Sequence, residues 1–428
     1  RGGTGFDTVA QHPRCGAVVP VHDRERLTRL LHLLRQPLRR RTVLVIDGLD
    51  AVRRALDDVA TADEYEALEE VLTTGCPDGA GVVVVAGVEH TAMVPAAFLA
   101  RCPQRWVLHL HDPHDAAVLG VSAAAVPAPH PGRAVVAPLG LAAQLVAPAT
   151  ALARGDAGHA DTDNDTESAP RIEPVPALVP AATLAGGWHA DGTSVLPVGT
   201  DCLGGGTSLL HVHDGEHALV LGAARTGRST ALARLTAAWQ AVHPTGWVGA
   251  IVPRRRSDKG AAGSNGIAHL ADVAAPDNSV LDQLADLVAL DPLRPTLLVV
   301  DDAEAIDDAD GRLAALAAAG RTTIIAAARP DALRQTYGHW TTVVRRSRLG
   351  LVATGGSDLD GDLLGALLPR RTPLAPRPGL MWAVDGGRVQ LVQVGVDTPD
   401  GLTPARPGPR SLEPTGEACS TPTRLAPL

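Results

Sequence analysis

The residues with the clearest chemical potential form a short glycine-rich segment between a candidate strand and a candidate helix. Gly222 and Gly227 lie five positions apart, and Arg228 and Ser229 follow at once. This is the spacing of a phosphate-binding loop, whose backbone N–H groups and following helix N-terminus attract an anion. A plain glycine-rich turn is the alternative interpretation. The segment predicts a nucleotide site built from Gly222, Ala223, Ala224, Arg225, Thr226, Gly227, Arg228, Ser229 and Thr230.

Two residues of this loop are expected to act beyond its backbone. Ser229 stands where a hydroxyl would contact Mg²⁺. Arg228 stands where such loops carry the lysine that reaches the β- and γ-phosphates. Lys259 is the only lysine of the chain, so a general replacement of lysine by arginine also explains Arg228. The predicted ligands are the phosphates of a nucleotide and Mg²⁺.

A second candidate group lies downstream, where the apolar run 296–300 ends in Asp301 and Asp302. A carboxylate at the end of such a strand can accept from a water on Mg²⁺, which assigns the metal to Ser229 and Asp301. Asp302 would orient the attacking water, although it is one methylene shorter than glutamate. Asp302 and Arg228 are therefore the candidate catalytic residues. An acidic strand end that simply faces solvent is the alternative.

The elements around these residues predict an α/β fold. Buried-type apolar runs alternate with helical stretches, which is typical of parallel sheets covered by helices. The predicted strands are 42–47, 81–87, 218–221, 247–252 and 296–301, and the predicted helical stretches are 24–35, 51–73 and 280–290.

An internal duplication relates the two halves of the chain. Residues 42–52 align without gaps on residues 296–306, so that Asp47 corresponds to Asp301 and Gly48 to Asp302. Three further pairs of segments follow in the same order: 81–87 with 322–329, 115–120 with 360–365, and 131–133 with 378–379. Nothing before Thr42 resembles a phosphate loop, so one nucleotide site is expected, in the second half.

Composition limits the possible partners and location. The chain has 428 residues, 45% of them apolar, a net charge of −9 and a pI of about 6.0. This acidic balance argues against nonspecific binding of duplex DNA, and the Arg254-Arg255-Arg256 cluster is interpreted first as a solvated loop. Five scattered cysteines indicate neither a zinc site nor a disulfide framework. The uncharged run 134–153 contains proline, glycine and glutamine and is not expected to span a membrane.

The order of these motifs resembles the FtsK/SpoIIIE family, especially its multi-module members such as the EccC ATPases of type VII secretion. The resemblance rests on the degenerate phosphate loop, the strand ends Val-Ile-Asp47 and Val-Val-Asp301, the Leu-Gly and Pro-Gly closing segments, and Leu-Pro-Val-Gly at 196–199. It implies two tandem RecA-like P-loop NTPase modules with parallel sheets flanked by helices, the first beginning after its P-loop. The expected domains are 1–150, a disordered acidic and proline-rich linker 151–185, a second module 186–397, and a proline-rich tail 398–428.

The same resemblance implies an ATP-binding motor module that serves a secretion or translocation machine. The departures from the family pattern at Arg228 and Asp302 predict weak or absent hydrolysis. A DNA translocase and a non-hydrolysing nucleotide-binding scaffold are the two alternatives. The implied partners are further copies in a ring or head-to-tail array and a polypeptide cargo, and the implied location is the cytoplasm or the inner face of the plasma membrane. The resemblance also implies a sensor near Ala328–Arg329 and an arginine supplied in trans, for which Arg345, Arg346 and Arg348 are candidates by charge alone.

Overall fold

The computed structural model describes residues 6–10, 12, 14–38, 41–74, 81–112, 115–146, 171–253 and 267–397. The arginine cluster 254–256, the proline-rich tail 398–428 and linker residues 151–170 lie outside these ranges.

Helices and strands alternate through most of the described chain. The helices are α1 Asp7–Ala10, α2 Arg24–Leu34, α3 Leu49–Leu56, α4 Ala62–Thr73, α5 Ala96–Arg101, α6 Asp115–Val118, α7 Arg228–Val242, α8 Val280–Leu290, α9 Arg312–Ala319, α10 Pro330–Gln335 and α11 Thr341–Val344. Short 3₁₀ turns cover Val59–Thr61, Thr91–Met93, Ala123–Ala125, Ala181–Thr183, Ala303–Ala305, Arg345–Ser347 and Asp358–Leu364.

The strands belong to one large sheet and two small ones. They are β1 Thr42–Ile46, β2 Val82–Ala86, β3 Arg105–Val107, β4 Arg133–Ala137, β5 Leu141–Gln144, β6 Val179–Pro180, β7 Trp188–Ala190, β8 Thr193–Asp201, β9 Thr207–His213, β10 Ala218–Leu221, β11 Trp247–Ile251, β12 Val273–Ala275, β13 Thr296–Val300, β14 Thr322–Ala328, β15 Gly350–Ala353, β16 Leu380–Asp385 and β17 Arg388–Val396. The mixed α/β architecture expected from the sequence is confirmed.

The large sheet has 12 strands, and its order begins β12-β11-β13-β14-β10-β15. These six strands are all parallel to one another. The sheet then continues antiparallel through β16, β17 and β8. Because all six parallel strands end at one edge, the residues that follow β10, β13, β14 and β15 are brought together there.

Both faces of the parallel region are covered, as its continuous apolar strands require. Helix α7 packs on one face through Leu232, Leu235 and Trp239, against alternate residues of β13 such as Leu297. Helices α8, α9 and α11 pack on the other face, where Leu298 belongs to the core. Since successive side chains of a strand point to opposite faces, β13 contributes to both cores.

In the first half, β1 and β2 form a two-stranded parallel sheet, and within the described residues helices cover one of its faces. Helices α2, α3 and α4 pack on the face that carries Ile46. The other face presents Val43, Val45 and Val85, which are 59%, 53% and 52% exposed. The predicted helical stretch 51–73 is two helices rather than one, because a 3₁₀ turn at Val59–Thr61 separates α3 from α4. Strands β3, β4 and β5 form a separate antiparallel sheet.

Residues 171–185 differ from the disordered linker expected there, because they pack on the second half of the chain. Ile172, Val175 and Val179 are all buried. Val175 belongs to a core cluster of the second half, its carbonyl accepts from Arg377 Nη2 at 3.2 Å, and β6 pairs with β17. The acidic and proline-rich composition of the whole segment obscured these apolar residues, which recur every three or four positions.

The strand pairs β1–β2 and β13–β14 have matching geometry. Both pairs are parallel, with Thr42 opposite Val82 in the first and Thr296 opposite Thr322 in the second. In both pairs, the residue after the aspartate that follows the strand has a left-handed backbone conformation, with φ 73° at Gly48 and 47° at Asp302. This likeness agrees with the alignment of residues 42–52 on residues 296–306 in the sequence.

Candidate nucleotide-binding site

The predicted phosphate loop leaves strand β10, which lies between β14 and β15. The N–H of Gly222 donates to the carbonyl of Ala328 at 3.2 Å. A Cβ on Gly222 would lie 2.5 Å from Thr226 Oγ1 and 2.7 Å from the Cβ of Ala353. Only glycine fits this close approach, so the first loop residue is set by packing.

The second glycine closes the loop and begins the helix. Gly227 has φ 93°, and a Cβ there would lie 2.7 Å from the backbone nitrogen of Gly379. That nitrogen donates to the carbonyl of Thr226 at 2.9 Å, which anchors the loop on the Pro-Gly segment. Gly227 is the N-cap of α7 and, having no side chain, caps none of the free N–H groups of the first turn. The arrangement suits a bound anion.

The remaining loop residues are arranged as a phosphate cradle requires. Thr226 Oγ1 donates to the carbonyl of Ala223 at 2.8 Å and tightens the turn. Arg225 has φ 65°, and its side chain is exposed together with Ala223, Ala224 and Thr230. These residues face solvent above the edge of the sheet, where a triphosphate would enter.

Ser229 and Asp301 meet although 72 positions separate them in sequence. Ser229 Oγ donates to Asp301 Oδ2 at 3.0 Å, and the N–H of Asp302 donates to Asp301 Oδ1 at 3.0 Å. Asp301 is 1% exposed. Burial, with the negative charge of Asp302, raises the pKa of the Asp301 carboxyl, and the bond from Ser229 opposes this shift. A bound cation would favour the ionised form.

Arg228 turns toward the strand-end carboxylates. Its Nη2 donates to Asp302 Oδ1 at 2.9 Å, and its Nη1 lies 3.7 Å from Glu304 Oε1. The side chain is only 7% exposed, and Nη1 makes no hydrogen bond. The basic residue of the loop and the candidate water-orienting carboxylate are thus paired with each other.

Glu304 is a site residue to which the sequence analysis assigned no role. Its side chain is 5% exposed and accepts from Arg329 Nε at 2.7 Å. The backbone N–H of Arg329 also donates to Glu304 at 3.2 Å. Glu304 raises the pKa of the half-exposed Arg329. A carboxylate three positions after Asp301 was the available signal, and Asp50 stands at the matching place after Asp47 and accepts from the N–H of Glu89.

The predicted sensor position and the candidate trans arginines lie at opposite edges of the sheet. Arg329 directly follows β14, beside Gly222, at the edge that carries the phosphate loop. Arg345, Arg346 and Arg348 lie on or beside a 3₁₀ turn just before β15, at the other edge. Arg345 is half-buried, and its Nη2 donates to Thr341 Oγ1 at 3.3 Å.

The donor set fits a magnesium nucleotide. Magnesium prefers oxygen ligands, usually one or two protein oxygens together with waters and phosphate, and Ser229 and Asp301 place two oxygens side by side. The uncapped helix N-terminus and the loop backbone can hold phosphate oxygens. The buried, incompletely satisfied guanidinium of Arg228 offers a further donor. The fold and the loop between β10 and α7 together have the architecture of a P-loop α/β module.

Comparison with solved structures shows which proteins share this architecture. EccC (ATPases 2 and 3) of Thermomonospora curvata, in complex with a signal sequence peptide, superposes with a TM-score of 0.58 and 19% identity over 93% of this chain and 81% of that one. The cytoplasmic domain of the same organism's type VII secretion ATPase EccC gives 0.56 and 20% over 93% and 52% of the two chains. EssC (ATPases 2 and 3) of Geobacillus thermodenitrificans gives 0.54 and 15% over 83% and 71%. The chain therefore has the fold of these tandem ATPase modules.

Sequence comparison adds no further assignment. No protein-family model matches the chain, and neither does any curated protein sequence. Among the described residues, no helix is both long and apolar enough to cross a membrane.

Proposed function

We propose that this chain is an ATP-binding part of an FtsK/SpoIIIE-like motor that serves a type VII secretion-like translocation machine. The second half would bind Mg-ATP, with the loop Gly222–Thr230 on the phosphates and with Ser229 and Asp301 on the metal. Hydrolysis would be slow or absent. The shared fold with EccC and EssC supports the class of machine, and the loop geometry supports the ligand.

One observation carries the proposal of weak turnover: Arg228 and Asp302 form a 2.9 Å ion pair. The pair engages Nη2 of Arg228 and Oδ1 of Asp302, so a γ-phosphate and an attacking water must compete with it for these two atoms. Binding should survive, because most of the phosphate contacts come from backbone N–H groups and the helix N-terminus. Phosphoryl transfer depends more strongly on placed charges.

The identities of residues 228 and 302 should lower the rate of hydrolysis further. Arginine is longer and planar, and so it does not replace the compact ammonium of lysine inside a tight loop. Asp302 withdraws its carboxylate by about 1.5 Å relative to glutamate, the length of one carbon–carbon bond. A misplacement of about 1 Å can cost ~10²-fold in rate.

The test compares the native chain with Arg228→Lys combined with Asp302→Glu. Calorimetry measures Mg-ATP affinity, and phosphate release measures turnover. We expect both proteins to bind ATP and only the double variant to hydrolyse it readily. Turnover by the native chain on the order of 1 per second, the usual range for enzymes, contradicts the proposal, as does a lack of ATP binding.

The same ion pair favours a second candidate function, a scaffold in which nucleotide binds and strengthens subunit contacts without being hydrolysed. Phosphate release separates this function from a motor. If ATP raises the oligomeric state in light scattering and no phosphate appears over hours, the scaffold is supported.

A polypeptide is the proposed cargo rather than DNA. One of the structurally similar EccC proteins was solved in complex with a signal sequence peptide, whereas the net charge of −9 opposes contact with a phosphate backbone. A gel-shift titration checks this: micromolar affinity for duplex DNA with a steep salt dependence would overturn the choice.

A further inference from the structure

A short strap, residues 171–175, lies between the two halves of the chain, and both halves hydrogen-bond to its last residue. From the first half, Glu25 Oε1 on α2 accepts from the backbone N–H of Val175. From the second half, Arg377 Nη2 donates to the carbonyl of Val175 at 3.2 Å. The Val175 side chain is 4% exposed and belongs to a core cluster of the second half. One residue of the strap is thus held from both sides.

Arg377 links the strap to the interior of the large sheet. While its Nη2 donates to Val175, its Nε donates to Gln393 Oε1 at 2.8 Å. Gln393 lies on β17 and is 1% exposed. Because a guanidinium is a planar and rigid fork, a shift of one acceptor also shifts the donor of the other. Lysine has a single ammonium on a flexible stem and would not connect the two acceptors in this way.

Gln393 in turn orients the peptide unit that anchors the phosphate loop. Its Nε2 donates to the carbonyl of Pro378 at 3.2 Å. The N–H of the same peptide unit, on Gly379, donates to the carbonyl of Thr226 at 2.9 Å. Since a peptide unit is planar, a side chain that fixes the direction of its carbonyl also fixes that of its N–H. A Cβ on Gly379 would lie 2.9 Å from Gln393 Nε2, so the glutamine also packs closely on this turn.

These hydrogen bonds form one continuous path from the first half of the chain to the phosphate loop. In order, the path joins Glu25, Val175, Arg377, Gln393, the Pro378–Gly379 peptide and Thr226. Hydrogen bonds in series polarise and strengthen one another. If the strap leaves its place, Arg377 loses the carbonyl of Val175 and constrains Gln393 less. The phosphate loop is therefore anchored more firmly when the strap is docked.

We propose that Arg377 is a positioning residue of the phosphate loop and that it couples the binding of Mg-ATP to the docking of the strap. The inference rests on the proposed nucleotide function. A nucleotide that binds the anchored loop more tightly favours the docked strap. The docked strap raises the affinity for the nucleotide by the same factor, because coupling between two sites is reciprocal. The first half, which holds the strap through Glu25, thereby influences the nucleotide site of the second half.

The experiment measures Mg-ATP affinity by calorimetry on the full chain and on Arg377→Gln and Arg377→Lys. The lysine variant keeps the positive charge, so it separates the two-acceptor link from a simple attraction of phosphate. Arg370→Gln is the matched control, because Arg370 is 88% exposed and pairs with Asp358, outside the path. Hydrogen exchange of the strap amides, measured by mass spectrometry with and without Mg-ATP, reports the coupling itself. A purely structural role of Arg377 would not make this exchange depend on ATP.

A second variant, Glu25→Ala, tests the path from its other end. It removes the acceptor of the Val175 N–H and leaves Arg377 and the phosphate loop unchanged in sequence. Glu66→Ala is its control, since Glu66 is an exposed glutamate of α4 in the same half. Thermal melting verifies that each variant folds, and Glu25→Ala decides the question if the Arg377 variants do not.

We expect Arg377→Gln, Arg377→Lys and Glu25→Ala each to lose about fivefold in ATP affinity, the lower end of the coupling that is typical between two sites. The two control variants should bind ATP as the native chain does. Mg-ATP should slow exchange of the strap amides about fivefold in the native chain, by reciprocity, and should not change it in Arg377→Lys. Native affinity in Arg377→Lys and Glu25→Ala, or strap exchange that ATP does not alter in the native chain, overturns the coupling while leaving the nucleotide function standing. If the native chain binds no ATP, the proposed function itself is wrong, and the coupling falls with it.

Discussion

Replacing Asp302 by asparagine should strengthen ATP binding. In the structure, Asp302 Oδ1 lies 2.9 Å from Arg228 Nη2, so a phosphate must compete with this carboxylate for the guanidinium. Asparagine keeps the size of the side chain and can adopt the left-handed conformation found at φ 47°. It removes the charge that retains Arg228. Glu304 stays in place at 3.7 Å from Arg228, so the guanidinium keeps a counter-ion in the variant.

The size of the effect follows from the exposure of the pair. Hydrogen bonds to charged groups contribute about 1.5–3 kcal/mol net. Arg228 is 7% exposed, but Asp302 retains 23% exposure, so solvent screens part of the attraction. We therefore take the lower end, about 1.5 kcal/mol, which corresponds to about a tenfold decrease in the Kd for Mg-ATP.

A double-mutant cycle separates the pair from the general repulsion between Asp302 and phosphate. Calorimetry gives the Kd for the native chain, Asp302→Asn, Arg228→Gln and the double variant. The repulsion is present in both backgrounds, whereas the ion pair exists only when residue 228 is arginine. We expect about tenfold tightening in the native background and clearly less in Arg228→Gln. Equal tightening in the two backgrounds, or weaker binding by Asp302→Asn, would refute the reasoning.

Three further predictions concern the loop, the metal and the response to acid. Gly227→Ala should lower both the melting temperature and the affinity for ATP, since a φ of 93° strains an L-residue and the new Cβ would meet the backbone of Gly379. Gly338→Ala is the control, because Gly338 has φ 68° with open space around it. This control should lose only the free energy of backbone strain, about 1–2 kcal/mol of stability. Ser229→Ala should remove most of the Mg²⁺ dependence of ATP binding, so that EDTA weakens binding by the native chain much more than by the variant; an equal effect of EDTA would contradict the metal assignment. Burial lowers the pKa of His243 from 6.5 to about 4. Between these two pH values the unfolded chain binds a proton on this imidazole and the folded chain does not, so the free energy of unfolding should fall by up to about 3 kcal/mol as the pH drops from 6.5 to 4. Urea titrations over this pH range should show a smaller decrease for His243→Gln.

The sequence alone was sufficient for the local elements of the site. The turn between β10 and α7 depends on residues that are neighbours in the chain, and the spacing of Gly222 and Gly227 therefore identified it. Asp301 was found for the same reason, because an apolar run of five residues ending in a carboxylate is a local signal. The mixed α/β class likewise followed from the alternation of such runs.

Helix and linker boundaries were less predictable. The stretch 51–73 has helical spacing on both sides of the turn at Val59–Thr61, and tertiary packing of α3 and α4 decides where it breaks. Residues 171–185 have the composition of a linker, yet Val175 and Val179 are buried because they pack against the second half of the chain and its large sheet. Composition averages over a segment and cannot detect a few buried positions within it.

The chemical state of the site was decided by tertiary structure. Arg228 and Asp302 are 74 positions apart, and only the order of β10, β14 and β13 in the sheet brings a loop residue and a strand-end carboxylate within 2.9 Å. The same strand order places the carboxylate of Glu304 near the guanidinium groups of both Arg228 and Arg329. The sequence determined which residues stand at the ends of which elements, through spacing and apolar runs. Which of those residues neutralise one another depended on strand order, because an ion pair is set by distance in space and not by distance along the chain.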